Sequence, residues 1–126
     1  MRLLTPQSHL QDAASGSILQ LNNDAELQGL ALDGVTRIEL QFPKFSDGRA
    51  FSQAVTLRRR LGFKGDIRAT GDVLVDQLVQ MQRSGFDSAV LRDDQDFSVA
   101  ERQLSRFAAF YQGDERESAP HFRRAA

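Results

Sequence analysis

The 126-residue chain has no cysteine, two histidines and no excess of either charge. Without a thiolate it has no Cys nucleophile and cannot by itself ligate an iron–sulfur cluster in the usual way. A cysteine-free chain also fits a reducing compartment, so a cytoplasmic location is expected. The histidines, His9 and His121, each lie in a polar segment near an end of the sequence. Both read as tail residues, and Ser-His-Asp chemistry in a folded core is not expected. With 16 basic against 17 acidic side chains, nothing favours a nucleic-acid or polyanion binder relying on bulk electrostatics. No apolar run reaches the roughly 18 residues of a membrane span, and the first residues carry no secretory h-region.

What is present is alternation. Residues 17–21, 36–42, 66–70 and 86–92 read as short strands, and 22–32, 47–62, 71–85 and 98–112 as helices. Gly62 and Gly85 stop two of the helices; Asn23 with Glu26, and Ser98 with Glu101, are spaced as capping boxes. The β-α-β-α-β-α-β-α order predicts an α/β fold with a four-stranded, mainly parallel sheet. Residues 1–16 and 113–126, rich in small and charged residues, read as flexible tails around one domain over 17–112.

The strands are apolar on one face only. Ile38, Leu40 and Phe42 oppose Arg37, Glu39 and Gln41; Ile67 and Ala69 oppose Asp66, Arg68 and Thr70. Helices mostly on one face and a polar opposite face are therefore expected, as in half of a β/α barrel; a doubly wound order is the alternative. Open edges and a bare polar face predict a partner, either a homodimer mate or a different protein.

In parallel sheets ligands gather at the C-terminal ends of the strands. The loops there carry Lys44, Asp47, Arg49, Asp72, Arg92, Asp93, Asp94 and Asp96. Lys44, Arg49 and Arg68 have the charge to hold an anion, with Asp47 or Asp72 as an acid–base group. Against this, Asp47 or Ser46 suits a helix cap, and Asp76 and Gln77 suit the first turns of a helix. Asp72 and the Asp93–Asp96 run offer oxygen ligands to a cation, yet the spacing matches no EF-hand loop and reads better as a solvated turn. Arg58, Arg59 and Arg60 read as a solvated helix face or a docking patch for an acidic partner. No GxGxxG or phosphate-binding loop occurs.

The motifs FPKFSDGR (42–49), GDIRAT (65–70) and GDVLVDQ (71–77) resemble those of the DUF934 family, small bacterial proteins of unassigned molecular function, over residues 19–111. By this resemblance the characteristic positions are Phe42, Pro43, Lys44, Phe45, Asp47, Gly48, Arg49, Arg68, Gly71, Asp72, Asp76 and Gln77. The resemblance implies a context: genes of the family commonly neighbour the haemoprotein of assimilatory sulfite reductase. An electron carrier to that enzyme needs a cofactor, and this chain has neither cysteine nor a dinucleotide fingerprint. A non-catalytic accessory or subunit without a cofactor is therefore expected, contacting the haemoprotein through Lys44, Asp47, Arg49, Arg68, Asp72, Asp76 and Gln77. The alternative is a small enzyme or anion-binding protein using Lys44, Arg49, Arg68 and Asp72.

Overall fold

The computed structural model describes residues 1–13, 16–44 and 46–110, with side chains as far as residue 106. The expectations about Phe45, Tyr111, His121 and the 113–126 tail lie outside the described residues. Five strands, β1 (Arg2–Leu4), β2 (Ser17–Leu21), β3 (Val35–Phe42), β4 (Asp66–Gly71) and β5 (Ser88–Val90), form one sheet in the order β1-β5-β4-β3-β2. Every pairing is parallel. The helices are α1 (Pro6–Gln11), α2 (Arg49–Arg59), α3 (Leu78–Ser84, entered through a 3-10 turn, Val75–Gln77) and α4 (Phe97–Phe110). The chain is thus an α/β protein in which strands and helices alternate.

β2 through β5 follow one another in sequence order, which removes the doubly wound alternative. Their apolar faces bury Ile38, Leu40, Phe42, Ile67, Ala69 and Ala89 against Ala54 and Leu57 of α2, Leu78 and Met81 of α3, and Ala100 and Leu104 of α4. Phe42 meets Phe51 edge-on at 5.1 Å between ring centres and Phe86 at 5.7 Å. Each such contact contributes about 1 kcal/mol beyond burial.

Two expectations fail at the N-terminal end. The sheet has a fifth strand, and residues 1–16 are no loose tail, since Arg2–Leu4 and Pro6–Gln11 form β1 and α1. A three-residue strand and a six-residue helix are too short to show a period in the sequence. α1 is instead closed by local chemistry: Thr5 Oγ1 accepts from the Ser8 N–H at 3.1 Å, and Ser8 Oγ accepts from the Thr5 N–H at 2.9 Å. Pro6 sits at the first helical position, where its missing N–H costs nothing. β1 and β2 occupy opposite edges, so the segment joining them must traverse the sheet, a span of four gaps or roughly 19 Å. His9 and Asp12 of that segment contact the polar face.

Residues 22–32 form turns rather than the expected helix. Gly29, at φ +81°, turns the chain within this segment, and Asn23 donates to Asp47 Oδ2 at 2.6 Å instead of capping. α4 is capped by Asp96, whose Oδ1 accepts from the Val99 N–H at 3.1 Å, two residues ahead of the expected Ser98. Asp47 accepts from the Arg49 N–H at 3.0 Å, but Gly48 occupies the N-cap itself. Arg58 is no solvated residue: it is buried and donates to the carbonyls of Gly85, Phe63 and Gly65 and to Asp87. Arg59 and Arg60 are exposed, as expected. Among the described residues no helix is long and apolar enough to cross a membrane.

Where β3 and β4 end, Gly71 has φ +92° and a Cβ there would stand 2.5 Å from the Phe42 carbonyl oxygen. Gly29 also has positive φ (+81°) but faces open space. Gly71→Ala is therefore expected to cost about 2–4 kcal/mol and Gly29→Ala about 1 kcal/mol, read as the difference in urea midpoints at constant m.

Candidate functional site

One polar row crosses the sheet. Strand register sets Gln20 beside Glu39, Glu39 beside Arg68, Arg68 beside Ser88 and Ser88 beside Arg2. Arg68, in the central strand, is fully buried at 0 % exposure. A guanidinium keeps its charge at any working pH, so burying it requires acceptors. Four contacts meet that need: Ser88 Oγ at 2.8 Å, His9 Nδ1 at 3.0 Å, Asp12 Oδ2 at 2.7 Å and Asp66 Oδ2 at 3.2 Å. Two of the four come from the N-terminal segment.

Asp12 binds three arginines at once. Besides Arg68 it takes Arg37 Nη1 at 3.1 Å on Oδ2 and Arg2 Nη2 at 2.8 Å on Oδ1. The hydrogen bonds of Arg2 and Arg68 hold its carboxyl well below the ordinary 3.8. Arg37 donates through Nε to Glu39 Oε2 at 3.0 Å, and Gln20 Nε2 donates to Glu39 Oε1 at 3.1 Å. The polar face is thus a closed network of alternating charge, covered by residues 5–12 where a bare surface was expected.

His9 occupies the middle of this cover. Arg68 can only donate, so Nδ1 accepts and the ring proton sits on Nε2, 3.8 Å from Glu39 Oε1. Burial, the largest cause, pushes the imidazole below its ordinary 6.5; Arg68 and Arg37 push the same way, and Glu39 and Asp12 oppose them. The ring is therefore neutral near pH 7. A tail residue of no consequence was expected; instead His9 touches the most buried charge in the described chain.

Two hollows flank His9 at the C-terminal ends of the strands, as the parallel arrangement requires. One, of about 500 Å³, is floored by Gly71, Val90 and Leu91 and walled by Pro6, Leu10 and Arg92. The other, of about 260 Å³, is lined by Gln20, Asn22, Glu39, Gln41 and Thr70. His9 and Thr70 border both.

The expected site residues divide. Asp47 chelates Arg49, with Oδ2 to Nη2 at 2.8 Å, and those bonds, helped by Asn23, hold its carboxyl down to about 2. Arg92 bridges Asp72 and Asp94, and Asp94 is likewise held down to about 2. Lys44 lies exposed beyond β3, Asp76 is exposed in the 3-10 turn, and Gln77 Oε1 accepts from the Leu74 N–H at 3.4 Å. The contacts of Arg68 involve neither Lys44 nor Arg49, so the three cations do not converge on one anion. Asp72 and Asp94 are engaged by Arg92, and Asp96 caps α4, so these three acids serve structure. Sequence reasoning had the row, since alternation puts Arg37, Glu39, Asp66 and Arg68 on one face. It missed what lies on that row, His9 and Asp12, for which the Thr5-Pro6 helix start was the only local signal.

Fold and site together define a parallel α/β protein whose polar sheet face is sealed by its own N-terminal segment, leaving hollows at the strand ends. The family model described as "Bacterial protein of unknown function (DUF934)" matches residues 18–122, most of the chain, which therefore belongs to that family. No curated protein matches the chain. β1 and α1, with His9 and Asp12, precede the matched span.

Burial separates the two arginines. Arg68→Ala removes the fully buried cation on which Ser88, His9, Asp12 and Asp66 converge and leaves a void in its place, and is expected to cost about 3 kcal/mol or more by urea denaturation. Arg49→Ala, in an exposed pair, should leave the midpoint indistinguishable from the parent.

Proposed function

We propose that this chain is a non-catalytic accessory or subunit protein of assimilatory sulfite reduction in the bacterial cytoplasm, and that it binds the sulfite reductase haemoprotein. The partner is the one that the family resemblance implies. The observation that carries the non-catalytic half is the state of the rim carboxylates. Asp47 and Asp94 are held down to about 2 by Arg49 and Arg92, so they are ionised at neutral pH and poor at exchanging protons. Asp72 is bound to the same Arg92. A general acid–base needs a carboxyl tuned toward the working pH, and Asp47 and Asp94 are tuned away from it.

Fixed, exposed ion pairs suit recognition instead: they supply preorganised charge that a partner can read without reordering it. In this reading Lys44, Asp47, Arg49, Asp72, Asp76 and Gln77 form the contact from the strand-end side. Arg68, fully buried, supports the scaffold under them rather than touching the partner.

The test is co-purification of the tagged chain from its own host grown on sulfate as sole sulfur source. The reading predicts recovery of the haemoprotein, identified by its absorption spectrum and mass. It also predicts at least a tenfold lower yield with Lys44→Glu plus Arg49→Glu, about 1.4 kcal/mol or more of binding. Recovery of the chain alone, with the haemoprotein present in the lysate, would contradict it.

A further inference from the structure

The contact between His9 and Arg68 has a sign that depends on one proton. With the proton on Nε2, Nδ1 offers a lone pair to a guanidinium that can only donate, at 3.0 Å. A second proton would occupy Nδ1 itself. The hydrogen bond would then become two cations face to face, with Arg37 as a further cation on the neighbouring strand. We propose that α1 is a pH-sensitive latch: proton uptake at His9 breaks its contact with Arg68 and lifts Pro6–Gln11 off the polar face of the sheet.

The surroundings bear this out from each side. β4 contributes Arg68, and β3 contributes Arg37 and Glu39. Asp12 follows α1, and Arg92, Asp93 and Asp94 border the larger hollow that His9 shares. Glu39 and Asp12 are the acids that favour a charged imidazole; Glu39, at 3.8 Å, lies beyond hydrogen-bond distance and is already bound by Arg37 and Gln20, and Asp12 is engaged by three arginines. Both ends of the latch are anchored independently of His9. β1 is paired to β5, and Asp12 is held by three arginines with a carboxyl that stays ionised down to low pH. The segment between the anchors can therefore open without unfolding the sheet. α1 itself has no fully buried residue, so apolar burial contributes little to holding it shut.

The direction follows from linkage. In the lifted segment His9 has its ordinary value of 6.5, and docked it lies lower, so the lifted form binds the proton more readily. Docking is fully favoured above pH 6.5 and weakens as pH falls from there towards the docked value. Pro6, His9 and Leu10 wall the larger hollow, and His9 also walls the smaller, so opening joins the two spaces at the strand ends. Mild acid would thereby expose a site that neutral pH keeps divided.

Hydrogen exchange on the full chain reads this directly. The amides of His9 and Asp12 bond to the carbonyls of Thr5 and His9 within the latch. Their protection, corrected for intrinsic exchange, is expected to fall at least about threefold from about pH 7.5 to about pH 5.5, with Ile67 and Ala69 of β4 unchanged. His9→Asn keeps an acceptor near the Nδ1 position without titrating, and should abolish the pH dependence. A flat profile in the parent, or an equal fall in His9→Asn, would overturn the latch. Should His9→Asn fail to fold, the imidazole ¹⁵N shifts of the parent decide: an Nε2–H tautomer that gains a proton below pH 6.5 as the latch amides lose protection is expected, and an Nδ1–H tautomer would overturn it.

Discussion

A guanidinium at the centre of a parallel sheet is the constraint around which this molecule is arranged. Arg68 stands in the third of five strands with no exposure to solvent, and it cannot shed its charge. The sheet alone supplies it with Asp66 and Ser88. The rest must come from elsewhere in the chain, and it comes from residues 9 and 12, so the N-terminal segment is drawn across the face. That crossing in turn lets β1 join beside β5 rather than beside β2, its neighbour in sequence. One buried charge thus links strand order, the cover over the polar face and the position of the only histidine among the described residues.

The two faces of the sheet are stabilised by different physics. The helical face is held by apolar burial and aromatic contact, which tolerates changes of shape but not of polarity. The other is held by paired charge, which is geometrically demanding and responds to pH and to the loss of any one member. Where the two meet, at the strand ends, the chain keeps hollows and exposed ion pairs, the features expected of a surface that another molecule reads. The side-chain contacts of Arg68 include neither Lys44 nor Arg49, which separates the scaffold role of Arg68 from the recognition role proposed for the other two.

Much of the helical face was legible from residues alone. The alternation of Ile38, Leu40 and Phe42, the apolar spacing from Ala50 to Leu57 and the stops at Gly62 and Gly85 each rest on local chemistry, and each is where it was expected. The alternation even put Arg37, Glu39 and Arg68 on one face. What could not be read was the cover. Asp12 and Arg68 are 56 positions apart, and neither residue's neighbours betray the other. A helix of six residues has too few turns to carry a stripe. The rim misled for a related reason: Lys44, Arg49 and Arg68 look alike in a sequence. Only the fold shows that one is exposed, one is chelated by Asp47 and one lies under α1.

If the N-terminal segment is held by Asp12 on Arg68, the two residues must be energetically coupled, and a double-mutant cycle measures that coupling without appeal to any function. The parent, Asp12→Ala, Arg68→Ala and the double variant would be unfolded in urea at neutral pH. A coupling energy of about 1 kcal/mol or more, with the double variant less destabilised than the sum of the single ones, is the predicted result. Strict additivity would mean that the segment does not dock on the sheet through this pair, and the account of the polar face would be wrong.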